Sequence, residues 1–265
     1  MQRFTDKKYL TQDQYKDAGN LDARSAIHPR FSTNPYGWFN WVFDALSKLP
    51  ADAKILELGC GNGHLWKNIA DKIPAGWNII LSDLSQGMLD ATWRNLVVTS
   101  RAFKFEQIDA GSIPYQDGIF DAVIANHMLY HVPDRPRAIA EIKRVLKPNG
   151  RLFATTVGEN HMKEMDEWRR RANNTYAGSF AMPFTLENGK EQLTPFFSEV
   201  QLSRYEDNLR VTEIEPIIVY LCSVISSSDL NTSELTKIQA ELETKLGQEK
   251  MIFISKDSGL FEALK

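Results

Sequence analysis

Between residues 54 and 156 short apolar runs alternate with amphipathic helical ones, and no other feature of the chain limits its fold so tightly. Lys54-Ile-Leu-Glu-Leu58 reads as a buried strand ending in the cluster Gly59-Cys-Gly-Asn-Gly63, after which Leu65, Trp66, Ile69, Ala70 and Ile73 share one helix face. Asn78–Asp83 is a second strand; Ser85 then offers an N-cap to a helix carrying Met88, Leu89, Trp93, Leu96 and Val97. Phe103–Gln107, Phe120–Asn126 and Arg151–Thr156 give three more strands. Asp134 caps a helix bearing Ala138, Ile139, Ile142, Val145 and Leu146, and Lys147-Pro-Asn-Gly150 is a turn in which Gly150 can supply a positive φ. Such alternation predicts a parallel, doubly wound α/β sheet covered on both faces through right-handed crossovers.

The flanks are less regular. Trp38, Val42, Leu46 and Leu49 predict a helix before the first strand, within an N-terminal helical segment over 1–50. The core spans 51–157. Residues 158–198, rich in Met, aromatic and charged side chains, break the alternation and read as an insertion or lid. In 199–265, Val200–Leu202 is a sixth strand candidate, Leu235, Ile238, Leu242 and Leu246 mark an amphipathic helix, Met251–Ile254 a last strand and Asp257-Ser-Gly259 a hairpin turn. No repeat interrupts this organisation.

Composition narrows the partners. The 265 residues carry 31 Lys and Arg against 34 Asp and Glu, a net charge of −3, which disfavours a nucleic-acid backbone or an anionic membrane as main partner. Two cysteines, Cys60 and Cys222, exclude a disulfide framework and suit a reducing compartment. Met1–Asn20 is polar and unlike a secretory signal, and Ile217–Ile225, the most apolar stretch, falls short of the ~20 residues a spanning helix needs, so the expectation is a cytoplasmic protein.

In a doubly wound sheet the ligand lies beyond the carboxyl ends of the strands. A phosphate-binding loop would require Gly-Lys-Ser/Thr where this chain has Gly63-His-Leu65, and the dinucleotide spacing G-x-G-x-x-G is replaced by G-x-G-x-G. A third reading fits better: Asp83 closes the second strand, about two dozen residues after the loop, where a carboxylate can accept both ribose hydroxyls. Asp109 follows the third strand, where it can accept from an adenine amine. Amides of the glycine loop would face the negative end of a short zwitterionic arm.

Glu57-Leu-Gly-Cys-Gly-Asn-Gly63, Asp83, Ile108-Asp109, Phe120–Asn126 and Leu146-Lys-Pro-Asn-Gly-Arg-Leu152 resemble, in order, the motifs of class I S-adenosylmethionine-dependent methyltransferases. The stretch Leu129-Tyr-His-Val-Pro-Asp134 is similar to that of the small-molecule branch. The resemblance implies a Rossmann-like seven-stranded sheet with its last strand antiparallel, placed at Met251–Ser255. It also implies S-adenosyl-L-methionine as cofactor, with Gly59, Cys60, Gly61 and Gly63 around the methionine arm and Asp83 on the ribose. Leu84 and Met88 would then lie against the adenosine, Asp109 and Ala110 at the adenine, Asn126 near the donor methyl, and Glu57 in an indirect role. A nicotinamide-dependent oxidoreductase of related topology, a cofactor-binding module without turnover and an RNA methyltransferase are the competing readings.

A sulfonium methyl is already activated, so the protein's main task is to align nucleophile, carbon and sulfur. His127 and His131 are the candidate bases if the acceptor must lose a proton; His131 can equally order its loop. As a metal pair they lack a third ligand, and no metal is expected. Asn34-Pro-Tyr36 reads as turn chemistry, and Arg169-Arg-Arg171 as a largely solvated run. Tyr9, Tyr15, Tyr36 and Trp38, with Met162, Met165, Trp168, Tyr176, Phe180, Met182 and Phe184 of the insertion, are candidates for an apolar pocket that takes a small-molecule acceptor.

Overall fold

A computed structural model describes residues 5–175 and 182–265. Seven strands form the main sheet: β1 (Lys54–Leu58), β2 (Asn78–Asp83), β3 (Lys104–Gln107), β4 (Phe120–Asn126), β5 (Leu146–Val157), β6 (Glu199–Tyr205) and β9 (Ser258–Leu264), in spatial order β3-β2-β1-β4-β5-β9-β6. The first five pair in parallel; β9 runs antiparallel to both β5 and β6. The strand order reverses between β1 and β4, which opens a crevice at their carboxyl ends.

Alternate side chains of the central strands enter two cores, as the near-continuous apolar runs require. Ile55, Ile79, Leu81, Ala122, Ile124 and Phe153 pack against α3 (Trp38–Leu46), α4 (His64–Asn68) and α5 (Gln86–Leu96). Leu56, Leu58, Val123, Ala125 and Leu152 face α6 (Arg135–Val145) and α8 (Gly189–Leu193). Ser85 and Asp134 cap α5 and α6, accepting from Met88 N and Arg137 N.

A third core lies outside the sheet. β7 (Asn208–Val211) and β8 (Ile252–Ser255) pair antiparallel as a separate ribbon. Around it gather α1 (Gly19–Ser25), α2 (Ile27–Phe31), α7 (Lys163–Ala172), α9 (Glu215–Val224) and α10 (Thr232–Glu249), with Ile27, Met165, Leu209, Leu221, Ile238 and Ile254 buried among them. Parts of the N-terminal segment (α1 and α2), of the insertion (α7) and of the C-terminal region (β7, β8, α9 and α10) therefore build one lobe over the strand ends.

Several local expectations change. Met251–Ser255 does not provide the antiparallel strand of the main sheet; residues 252–255 bury only Ile252 and Ile254, with Phe253 44% exposed, and belong to the ribbon. Asp257-Ser-Gly259 is no hairpin turn, because Ser258 and Gly259 open β9. Their small size has another cause: a Cβ on Gly259 would stand 2.6 Å from Ser203 O of β6. In the Lys147–Gly150 stretch, which lies within β5, the left-handed residue is Asn149, φ 63°, and not Gly150. Trp93 and Val97 are 54% and 57% exposed, since the buried arc of α5 runs through Met88, Leu89, Ala91, Thr92 and Leu96. The helix after the glycine loop ends at Asn68 and passes into a 3-10 turn, Ala70–Lys72, while Ile69 and Ile73 stay buried.

Candidate active site

The crevice widens into a cavity of about 2150 Å³ between the carboxyl ends of β1–β4 and the lobe. Glu57, Gly59, Cys60, Gly61, Asp83, Leu84, Met88, Asp109, Ala110, Asn126, His127 and His131 all line it. Gly63 does not: a Cβ there would meet the Thr92 methyl at 2.7 Å, so this glycine serves the packing of the loop on α5. Gly59 does face the interior, at φ 67° with a Cβ position 2.8 Å from that of Met128, and a side chain would be both strained and crowded.

The loop amides are mostly spent within the protein. Cys60 N donates to Ser82 O (2.8 Å), Gly61 N to Asp83 Oδ2 (3.0 Å) and Gly63 N to Cys60 O (3.0 Å). The expected row of bare amides is thus a loop tied to the end of β2, and the polar character of the site comes from its carboxylates. Asp83 Oδ1 also accepts from Ser85 N at 2.9 Å, which leaves further lone pairs on both oxygens. Burial lifts the Asp83 carboxyl to about 6, against the pull of these amide donors.

Glu57 is 2% exposed at the end of β1 and accepts from Trp66 Nε1 and from Asn126 Nδ2, the latter at 2.9 Å. Burial pushes its carboxyl to about 7 in spite of both donors. Thr155 Oγ1 donates to Asn126 Oδ1 (3.2 Å), so β1, β4 and β5 hold the Asn126 amide in one orientation. Asp109, beyond β3, accepts from Gly111 N at Oδ1 (3.0 Å) and pairs with Lys7 at Oδ2. Burial would raise its carboxyl, but the Lys7 and Gly111 donors outweigh that and hold it below the usual range.

The two histidines differ in position. His127 has a left-handed backbone, φ 49°, fixed by its N–H donating to Thr155 O (3.1 Å), and its ring stacks 5.4 Å from Trp38. Burial and then Lys256 lower its imidazole to about 4, so it is neutral at pH 7. His131 Nε2 lies 3.0 Å from Tyr15 Oη, its ring edge-on to Tyr15 and Tyr130.

Among the proposed pocket residues Tyr9, Tyr15, Trp38, Met162, Met165 and Met182 line the cavity. Tyr36 is outside and donates to Asp44 (2.6 Å), Phe184 packs on Phe261 in the main core, and Trp168 packs against the third core. Tyr176 and Phe180 lie outside the described residues. Arg171 of the basic run is held by Glu234 and Glu241. Sequence reasoning missed Arg24, His28, His161 and Lys256, which line the cavity from three separate parts of the chain.

The methyltransferase-domain family matches residues 56–154. A ubiquinone biosynthesis O-methyltransferase of Dechloromonas aromatica is 31% identical over 140 residues, 52% of this chain and 58% of that protein. A demethylmenaquinone methyltransferase of Lactobacillus johnsonii is 35% identical over 145 residues, 52% and 59% of the two chains. The chain thus spans somewhat over half the length of these relatives. In structure, the phosphoethanolamine N-methyltransferase 2 of Haemonchus contortus, solved with S-adenosyl-L-methionine, superposes with a TM-score of 0.60 at 18% identity, covering 99% of this chain and 60% of that one, a likeness of fold. Residues 56–154, running from β1 into β5, thus resemble the methyltransferase domain in sequence, and the chain shares the fold of that solved structure.

Proposed function

We propose that the protein is a methyltransferase that binds S-adenosyl-L-methionine at the carboxyl ends of β1–β4 and methylates a small molecule held beneath the lobe. One observation carries the reading: four successive strand ends deliver Gly59–Gly61, Asp83, Asp109–Ala110 and Asn126 to a single cavity. The donor set suits the cofactor, because Asp83 keeps lone pairs for ribose hydroxyls and Leu84 and Met88 offer an apolar wall. Buried Glu57 and Asp83 favour a cationic neighbour, whose charge would return both to the ionised form.

When bound, the cofactor supplies an electrophilic methyl group on a sulfonium sulfur. The chain's own part is alignment and exclusion of water by the lobe. Asn126, locked by Glu57 and Thr155, fixes one wall beside the transfer path, and neutral His127 stands next to it as a proton acceptor for a hydroxyl nucleophile. The acceptor chemistry of the two curated relatives makes quinol-type rings the first compounds to try. Operation in the cytoplasm belongs to the same reading, supported by the unpaired Cys60 and Cys222.

Calorimetric titration with S-adenosylhomocysteine and, separately, with a nicotinamide dinucleotide tests the cofactor; tight binding of the first alone is expected. Transfer of labelled methyl to a panel of hydroquinones and catechols tests turnover. Cofactor binding without transfer to any acceptor would leave a binding module in place of an enzyme.

A further inference from the structure

The cavity has a second polar end, one residue beyond Asn126, of which the proposed function uses His127 alone. His28 of α2, His127 after β4, His161 before α7 and Lys256 between β8 and β9 line it. They are contributed by four separate segments, and three of them are among the chain's five histidines.

The Nδ1 atom of His28 is buried with no hydrogen-bond partner among the described residues. His161 Nδ1 accepts from Asp257 N at 3.1 Å, which places the ring proton on Nε2 and makes that atom a donor. The Lys256 side chain, 7% exposed, gives one of its three protons to Asp207 Oδ2 at 2.5 Å. Asp207 is itself saturated, since its Oδ1 accepts from Ser32 Oγ, Thr33 N, Asn34 N and Asn208 N at 2.8–3.1 Å. Asp257 is engaged by Arg204. Burial and the Lys256 charge drive His28 down to about 3 and His127 to about 4, and burial with its cationic neighbours holds His161 well below its ordinary value. The pocket therefore offers one ammonium and the His161 Nε2–H, with Asp207 and Asp257 already matched, and the partnerless Nδ1 of His28 can carry the proton of its neutral ring.

We propose that this end of the cavity anchors an anionic oxygen group of the acceptor, a carboxylate or a phosphate monoester, through Lys256 Nζ, His161 Nε2 and the unpaired ring nitrogen of His28. Charge-assisted bonds from several converging donors hold such a group and fix the acceptor's far end while its nucleophile points toward Asn126. The inference rests on the methyltransferase reading for the word acceptor, but the pocket itself can be probed without it.

The test is calorimetric titration with 4-hydroxybenzoate, 4-hydroxyphenyl phosphate and the neutral isostere 4-hydroxybenzamide, each with and without S-adenosylhomocysteine. At least one anion should bind about tenfold or more tightly than the amide, and which anion wins identifies the group. His28→Leu should reduce the preference to about twofold, His28→Gln should restore part of it, and S-adenosylhomocysteine affinity should not change in either. Equal binding of amide and anions, an undiminished preference in His28→Leu, or no anion binding at about 10 mM overturns the proposal. A wild-type protein that prefers the anion yet ignores S-adenosylhomocysteine keeps the pocket and loses the cofactor reading; the opposite pair of results does the reverse.

Discussion

The Tyr15 hydroxyl meets His131 Nε2 at 3.0 Å, across 116 positions of sequence, and joins the N-terminal cover to the loop that follows β4. The same tyrosine accepts at its carbonyl from Ser85 Oγ (2.6 Å), the N-cap of α5, and its ring lies 5.3 Å from the Arg24 guanidinium. One residue of the cover thus touches the loops after both β2 and β4, which flank the glycine loop. Removing the hydroxyl deletes one net hydrogen bond, about 1 kcal/mol. Tyr15→Phe should weaken S-adenosylhomocysteine about fivefold by calorimetry while the melting temperature falls by no more than about 2–4 °C. Unchanged affinity would mean the contact only tidies the loop.

Asp83 anchors the protein as well as offering a ligand site, because its two oxygens hold the amides of Gly61 and Ser85. Asp83→Ala leaves both donors near-buried and unpaired, each costing about 1–3 kcal/mol. The variant should lose measurable cofactor affinity and also melt lower in the absence of any ligand. Asp83→Asn, which retains one acceptor and turns a donor toward the other amide, should recover at most about half of the stability and little of the affinity. If both variants bind as wild type does, the ribose assignment falls.

Glu57 links site chemistry to pH. Its carboxyl sits at about 7 in the folded chain against an ordinary 4.5, so the native state holds a proton that the unfolded state has released. The resulting stability is complete in acid below the ordinary value and is lost as pH rises through about 7, a change on the order of 3 kcal/mol. His28 and His127, depressed to about 3 and 4, act oppositely below about 6.5, where only the unfolded chain takes up protons. The difference between wild type and Glu57→Gln isolates the carboxyl. Relative to wild type, the variant should gain up to about 3 kcal/mol between pH 5 and pH 8 in denaturant melts of the ligand-free protein. A difference independent of pH would refute the raised value.

What the sequence revealed and what it hid divide along physical lines. Strands β1, β2 and β4 are buried on both faces, so their apolar runs and terminal Gly or Asp residues could be read directly. Met251–Ile254 looks the same at four residues, and only the pairing of Ile252–Ser255 with Asn208–Val211 shows that it leaves the sheet. Ser258-Gly259 carries turn composition for a packing reason, the close approach of β6. Asp83, Asp109 and Asn126 were legible because each ends a predicted strand. His28, His161 and Lys256 were not, since tens of residues separate them and the third core alone brings them together.

Lys7 supplies the last test, because it and an adenine amine would compete for the same oxygen, Asp109 Oδ2. The Lys7–Asp109 pair is 48% and 37% exposed, a setting in which ion pairs contribute under about 1 kcal/mol. If the cover needed that pair, Lys7→Ala would loosen it and cofactor affinity would fall together with that of Asp109→Ala. If an adenine amine takes over Asp109 Oδ2, the lysine is displaced on binding and only the aspartate matters. Oδ1 remains tied to Gly111 N in either case, so the loop keeps its shape. The second outcome is expected: Lys7→Ala should change S-adenosylhomocysteine affinity no more than about twofold, and Asp109→Ala should lower it about tenfold. Adenosine alone should show the same contrast, whereas equal losses in the two variants would assign Asp109 to the cover and not to the base.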